Sequence, residues 1–350
     1  MIDLSGYSTP VVLALFLSAA MLVWVAGTRL AVHGDEIAER LKLAKEFVGL
    51  VFLATVTELP EIVTTITAAR VDNAALVLGN MFGGITMQTA ILALADFFAV
   101  RYALTSWPRK PTHALAAVML IVLLSALLAV TFLGDVVLIS NVGIGAICLA
   151  LCFPIVIALQ RAFDQKSSWA PIDLPDDEER EKIASHDGGR FANVTTSRLL
   201  IQAMLYSVVI LGAGVLLALS ADTLADQTGL GSSFIGVSLL AASTSMPELS
   251  TTLAAARIGA YTMAIANIFG SNLIMLALIL PADIAYKNGP ILSEADRAAQ
   301  FSIATGIMVT AIYVAGILIR RTPSFLGAGL DSWLVMAVYL SSLVALFFIT

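Results

Sequence analysis

Thr57-Glu58-Leu59-Pro60-Glu61 and, 187 residues further on, Thr244-Ser245-Met246-Pro247-Glu248 decide how this chain folds. Each sets a Pro-Glu step inside an otherwise apolar stretch, and the register between them holds in both directions without a gap. Downstream, Thr64-Thr65 falls on Thr251-Thr252, Ala68-Ala69-Arg70 on Ala255-Ala256-Arg257, Asn80 on Asn267 and Phe82-Gly83 on Phe269-Gly270. Upstream, Asp35 meets Asp222, Leu43 meets Leu230 and Gly49 meets Gly236. Many of the matched residues are polar, Pro or Gly, so apolar composition does not account for the match. The chain carries an internal repeat.

Composition says where the repeat resides. Hydrophobic residues are 59% of the chain and charged residues 13%, about half the roughly 25% of a soluble protein. A net charge of −6 offers no basic face for a nucleic acid. Cys148 and Cys152 are too few for a disulfide framework or a four-ligand zinc site. A hydrocarbon core about 30 Å thick takes about 20 apolar residues per helix. Ten spans of that kind are predicted, at 10–28, 47–69, 74–100, 113–133, 136–160, 198–220, 232–256, 261–286, 299–319 and 328–349. No basic residue precedes the first, so it lacks the n-region of a cleavable signal. The expected fold class is an all-α integral membrane protein.

With ten spans, nearly every Lys and Arg falls on one side, and only Arg70, Lys287 and Arg297 fall on the other. By the positive-inside rule both termini should be extracytoplasmic, in a bacterial inner (plasma) membrane. Residues 161–197 form the one long loop, cytoplasmic and acidic from Asp173 to Glu181, and read as a solvated linker. The expected domains are a five-helix repeat at 1–160, the linker at 161–197, and a second five-helix repeat at 198–350. An odd number of spans per half turns the second copy upside down, as in secondary transporters with a site at the repeat interface.

Glu61 and Glu248 fall well inside their spans, where a carboxylate is costly unless paired, protonated or bound to a cation. Pro60 and Pro247 free carbonyls one turn earlier. Those carbonyls, the hydroxyls of Thr57, Thr244 and Ser245, and the two carboxylates make an oxygen-rich set free of sulfur and imidazole. Hard cations such as calcium take such ligands. Gly79-Asn80-Met81-Phe82-Gly83-Gly84 and Ala266-Asn267-Ile268-Phe269-Gly270-Ser271-Asn272 are expected to break their helices at similar depth. Their small residues should also let helices approach closely.

At these residues the chain resembles the sodium/calcium exchangers of the calcium:cation antiporter superfamily. Ser243-Thr244-Ser245-Met246-Pro247-Glu248-Leu249 with Gly270-Ser271-Asn272 looks like the second alpha repeat of that family. Thr57-Glu58-Leu59-Pro60-Glu61 with Gly79-Asn80 and Phe82-Gly83 is similar to the first. The resemblance implies a calcium site at Glu61 and Glu248, with Thr57, Thr244, Ser245 and Ser271 as ligands. Against the family pattern, Glu58 stands where Ser is usual, and Gly84-Ile85 replaces Ser-Asn. Gln88 and Met275 occupy places where an Asn or Asp helps hold ions. Glu58 lies three residues before Glu61, on the same helix face. Two carboxylates so close should not both stay ionised without a cation, which suits proton coupling.

The expected metal site is therefore Glu61, Glu248, Thr57, Thr244, Ser245, Glu58, Asn80, Asn267, Ser271 and Gln88. The expected activity is exchange of calcium, or a related divalent ion, for sodium by alternating access, with proton coupling as the alternative. A cation channel is the rival of another class, disfavoured by inverted pairing. No enzymatic constellation and no cofactor are expected; the partners are calcium, sodium or protons as transported ions, and the bilayer. The charge bias makes one prediction: a cysteine introduced at Ser168 should be shielded from an impermeant thiol reagent outside intact cells and labelled after lysis. Labelling from outside would contradict the orientation.

Overall fold

The computed structural model describes residues 4–40, 58–99, 103–108, 111–166, 194–257, 259, 261–320, 324–325 and 327–349. They form α1 (Thr9–Arg40), α2 (Leu59–Arg70), α3 (Ala74–Ala99), α4 (Thr112–Leu133), α5 (Ile144–Lys166) and α6 (Thr196–Thr228). After these come α7 (Ser232–Thr244), which contains a π turn at Gly236–Leu240, then α8 (Met246–Arg257) and α9 (Tyr261–Ala277). The chain ends with α10 (Ile279–Ala285), α11 (Arg297–Ile319) and α12 (Leu330–Ile349). Two antiparallel hairpins interrupt the helices: β1 (Val137–Ile139) with β2 (Val142–Gly143), and β3 (Ser324–Phe325) with β4 (Ala328–Gly329). Among the described residues eight helical segments are long and apolar enough to cross a membrane. The protein is an integral membrane protein.

Several span boundaries differ from those expected. Residues 47–57, with Thr57 among them, lie outside the described residues, and the rest of span 47–69 is the short helix α2. Span 232–256 is two helices, α7 and α8, divided at Ser245. Pro247 causes the division, since it lacks an N–H and its ring clashes with the carbonyl four residues back. Span 136–160 begins instead with the β1–β2 hairpin, and its helix runs on to Lys166. Of the expected linker, 167–193 lie outside the described residues, and α6 begins at Thr196.

The breaks expected at Gly79–Gly84 and Ala266–Asn272 do not occur, and α3 and α9 run through them. Glycine in a helix costs only about 1 kcal/mol, and here it permits close packing. A Cβ on Gly79 would stand 2.7 Å from the Ser233 carbonyl oxygen of α7, closer than side chains tolerate, and 3.3 Å from Gly236 Cα. The expectation that small residues bring helices together holds, and α3 meets α7 backbone to backbone.

Packing makes α3 the axis of the bundle. It contacts α2, α7, α8, α9, α11 and α12, and 89% of its apolar span is buried, against 22% for α5 and for α6. The outward faces of α5 and α6 are apolar, as lipid contact requires. α1 and α6, of 32 and 33 residues, make the most extensive helix pair. At about 1.5 Å per residue both exceed the bilayer core, so they tilt or protrude.

Two buried aspartates fasten the ends of the bundle. Asp96 on α3 accepts the Leu104 N–H at 2.6 Å and the Gly329 N–H of β4 at 2.8 Å. Asp283 on α10, 187 residues later, accepts the Ile291 N–H at 2.6 Å and the Gly143 N–H of β2 at 2.8 Å. Each carboxyl joins a turn of its own half to a hairpin of the other. Because either change strands two buried N–H groups, Asp96→Ala and Asp283→Ala should each lower stability by about 2–4 kcal/mol. Thermal unfolding in detergent checks this, and an unchanged midpoint in either variant would contradict the assignment.

Candidate functional site

The site forms where the two Pro-Glu steps start their helices. Glu58 precedes α2 with φ −77° and ψ 2°, and Ser245 precedes α8 with φ −81° and ψ 6°, almost the same conformation. Neither α2 nor α7 is capped by a side chain at its N-terminus. One turn in, Thr64 donates to the carbonyls of Pro60 (2.9 Å) and Glu61 (3.2 Å). Thr251 does the same to Pro247 (3.0 Å) and Glu248 (3.2 Å). Asn80 Nδ2 reaches Thr64 at 3.4 Å, and Asn267 Nδ2 reaches Thr251 at 3.5 Å. The in-register residues of the sequence thus make in-register contacts, and these aim Glu61 and Glu248 inward from two helices.

Glu58, Glu61 and Glu248 are each 0% exposed, and among the described residues none of their six carboxyl oxygens has a hydrogen-bond partner within ordinary distance. Glu61 has Glu248 and Glu58 as charged neighbours and faces the Thr244 hydroxyl. Glu58 faces Ser271 and Gln88. The hydroxyls of Ser245 and Ser271 and both polar atoms of the Gln88 amide are likewise buried without partners. Thr244 is held at 3.5 Å from Asn80 Oδ1, which links α7 to α3. Among the described residues no basic side chain stands as a charged neighbour of the three acids. Buried polar atoms are almost always hydrogen-bonded. An enclosed group of bare oxygens of this kind has the chemistry of a cation site.

The structure brings together Glu58, Glu61, Glu248, Thr244, Asn80, Ser271 and Gln88, and Ser245 is buried three residues before Glu248. Asn267 is half-buried and bound to Thr251, and Thr57 lies outside the described residues. Sequence reasoning missed Thr65 and Thr252. Both are buried, one helical turn beyond Glu61 and Glu248, with hydroxyls that have no partner among the described residues. Their signal was present, because the pair matches in register and sits at i+4 from each glutamate.

The two flanks of the pair differ. Where Ser271 stands in one half, the other has Gly84, and the Met275 methyl fills the space a side chain there would take. Met275 is the counterpart of Gln88, and Ser245 of Glu58. One flank is therefore polar and acidic, and its counterpart is lined by a thioether.

The model of the sodium/calcium exchanger protein family matches residues 11–170 and 198–348. A protein described as a candidate antiporter, CaxA of Alkalimonas amylolytica, is 26% identical over 266 residues, covering 74% of this chain and 76% of that one. The inner membrane protein YrbG of Escherichia coli K12 is 24% identical over 342 residues, covering 94% and 97%. In fold, the chain is similar to the sodium-calcium exchanger NCX_Mj, with a TM-score of 0.61 at 16% identity over 97% of this chain and 99% of that one. It is also similar to the H+/Ca2+ exchanger CAX, with a TM-score of 0.60 at 15% identity over 96% and 87%. A family model that spans both halves, on a fold and acid pair of this geometry, leaves one assignment: the chain belongs to the sodium/calcium exchanger family.

Proposed function

We propose that this protein is a secondary-active antiporter that exchanges calcium, or a related divalent cation, for sodium by alternating access. In this reading residues 1–160 and 198–350 are inverted five-helix repeats, 161–197 is a cytoplasmic linker, and the site lies between the repeats. The supporting observation is the facing of Glu61 and Glu248 in a buried space with no basic neighbour among the described residues. Their two charges match one divalent ion, and the hydroxyls of Thr244, Ser245 and Ser271 add neutral oxygens. A site that neutralises itself only with ions suits exchange, since leaving it empty is costly and one ion replaces another. The E. coli relative is named an inner membrane protein, which supports placement in that membrane.

Proton coupling is the second reading, and Glu58 favours it. With Glu58 the site holds three carboxyls, one more than a divalent ion neutralises, and the surplus sits beside Gln88 and Ser271. A sodium ion on the counterpart flank would meet Met275, which offers no oxygen. Protons need only the carboxyls. The similarity in fold reaches a sodium-calcium and a proton-calcium exchanger to nearly equal degree, so the choice rests on the residues.

Two outcomes are expected in proteoliposomes. Glu61→Gln and Glu248→Gln should each reduce calcium flux to the level of empty vesicles, with the purified protein still monodisperse. Near-normal flux in either would remove it from the site. Glu58→Ser should flatten the dependence of calcium flux on pH and raise its dependence on sodium. Coincident pH profiles in wild type and variant would leave Glu58 outside the coupling and favour sodium. Saturable counter-flow in the wild type separates a carrier from a pore.

A further inference from the structure

On the outer surface of the bundle α4 and α12 both pack on α11, and a cleft of about 540 Å³ is lined by all three. That is the size of a small-molecule site, about 300–1,000 Å³. Arg297, Gln300 and Ala304 line it from one face of α11, three and four residues apart. Phe301 adds a wall, and Phe132 of α4 and Phe348 of α12 flank it. Phe301 packs on the cluster of Val237, Ala298 and Leu346, and Gln300 Nε2 donates to the Thr131 carbonyl of α4 at 3.4 Å. These contacts belong to the fold, so the cleft is preformed.

The cleft has one charged end and one apolar end. Arg297 is the first residue of α11 and is exposed, which puts its guanidinium at a membrane face. Ala304 lies seven residues on, about 10 Å further into the bilayer at 1.5 Å per residue. Ala304 is itself exposed, so its small side chain gives the cleft its depth. Phe132 and Phe348 are 70% and 80% exposed and widen the apolar surface around it. The carboxylate just before Arg297 is engaged elsewhere: Asp296 accepts the Ser233 hydroxyl at 2.5 Å and the Ala299 N–H at 2.8 Å.

Left empty, such a cleft forfeits dispersion contacts along its walls, and the surrounding medium at this depth is acyl chain. The charge at its end calls for an anion, and a guanidinium meets a phosphate through two parallel N–H donors. We propose that the cleft is a phospholipid site, in which one acyl chain lies over Ala304 between α4 and α12 and the phosphodiester sits on Arg297. A second copy of the chain packed here about a two-fold axis would bring another Arg297 to the same surface, whereas a phosphate brings the opposite charge. α4 lies in the first half of the chain and α11 and α12 in the second, so the bound lipid joins the halves at their rim.

The test titrates phosphatidylglycerol in micelles onto the purified, delipidated full chain, read by native mass spectrometry and thermal unfolding. Wild type is compared with Arg297→Gln, which removes the charge, and with Ala304→Phe and the milder Ala304→Leu, which fill the cleft from an exposed position. Wild type should retain one lipid per chain and gain midpoint as it binds. Arg297→Gln should weaken that binding about fivefold, the effect of one basic residue beside anionic lipid. Both substitutions at Ala304 should abolish the retained lipid while leaving the lipid-free midpoint near that of wild type. Diacylglycerol, which has the chains without the phosphate, should bind wild type and Arg297→Gln alike. None of these positions belongs to the exchange site, so the result does not depend on what is transported. Equal retention by all four proteins would make the lipid part of the ordinary annulus and overturn the proposal. So would a lipid-free dimer of wild type that Ala304→Phe or Ala304→Leu dissolves, which would place a second copy in the cleft. A gain in midpoint from glycerol phosphate equal to that from the lipid would make the site one for free phosphate, and would overturn it too.

Discussion

A carboxylate at the centre of a membrane helix costs about 2.5–3.5 kcal/mol to insert, and this molecule brings three of them into one place with no basic neighbour among the described residues. Everything around the site serves to hold that arrangement. Pro60 and Pro247 start short helices inside the bundle, so that glutamates one residue later enter it near a helix beginning. There the N-terminal partial charge favours an acid. Thr64 and Thr251 then tie up the carbonyls of the first turn, which leaves the carboxyls as the unsatisfied groups. A fold that wanted only stability would pair them or replace them with apolar side chains.

The close approach of α3 to α7 carries the second constraint. Gly79 facing Gly236 lets Asn80 reach both Thr64 and Thr244, so one amide spans the seam between the halves. Asp96 and Asp283 repeat that logic at the ends, each carboxyl bridging its own half to the other. Most of α3 is enclosed by these contacts. α1 and α6 pack chiefly on one another, and each also packs on one of the short site helices, α1 on α8 and α6 on α2.

Much of this was legible in the sequence because the repeat is written in polar residues. Glu61 and Glu248, Asn80 and Asn267, and Thr64 and Thr251 match in register, and their contacts match too. The helix breaks were misplaced because glycine was read as a breaker. Inside a bundle its cost is outweighed by backbone packing, whereas proline removes a donor wherever it stands. The hairpins were missed because Val137–Ile139 is apolar and reads as the continuation of a span. Asp96 and Asp283 also match at the same shift, but single acids near span ends resemble interfacial charge until their N–H partners are known. That Met275 fills the place beside Gly84 was beyond periodicity altogether, since the two lie on separate helices.

The central claim is that the same carboxyls hold either the divalent ion or its counter-ion. Equilibrium binding of radioactive calcium to the purified protein, at several proton and sodium concentrations, tests it most directly. The account predicts saturable binding at one site per chain, with an apparent affinity that weakens competitively as the coupling ion rises and an unchanged capacity. Calcium binding indifferent to both protons and sodium, or a capacity that falls while the affinity stays constant, would contradict it.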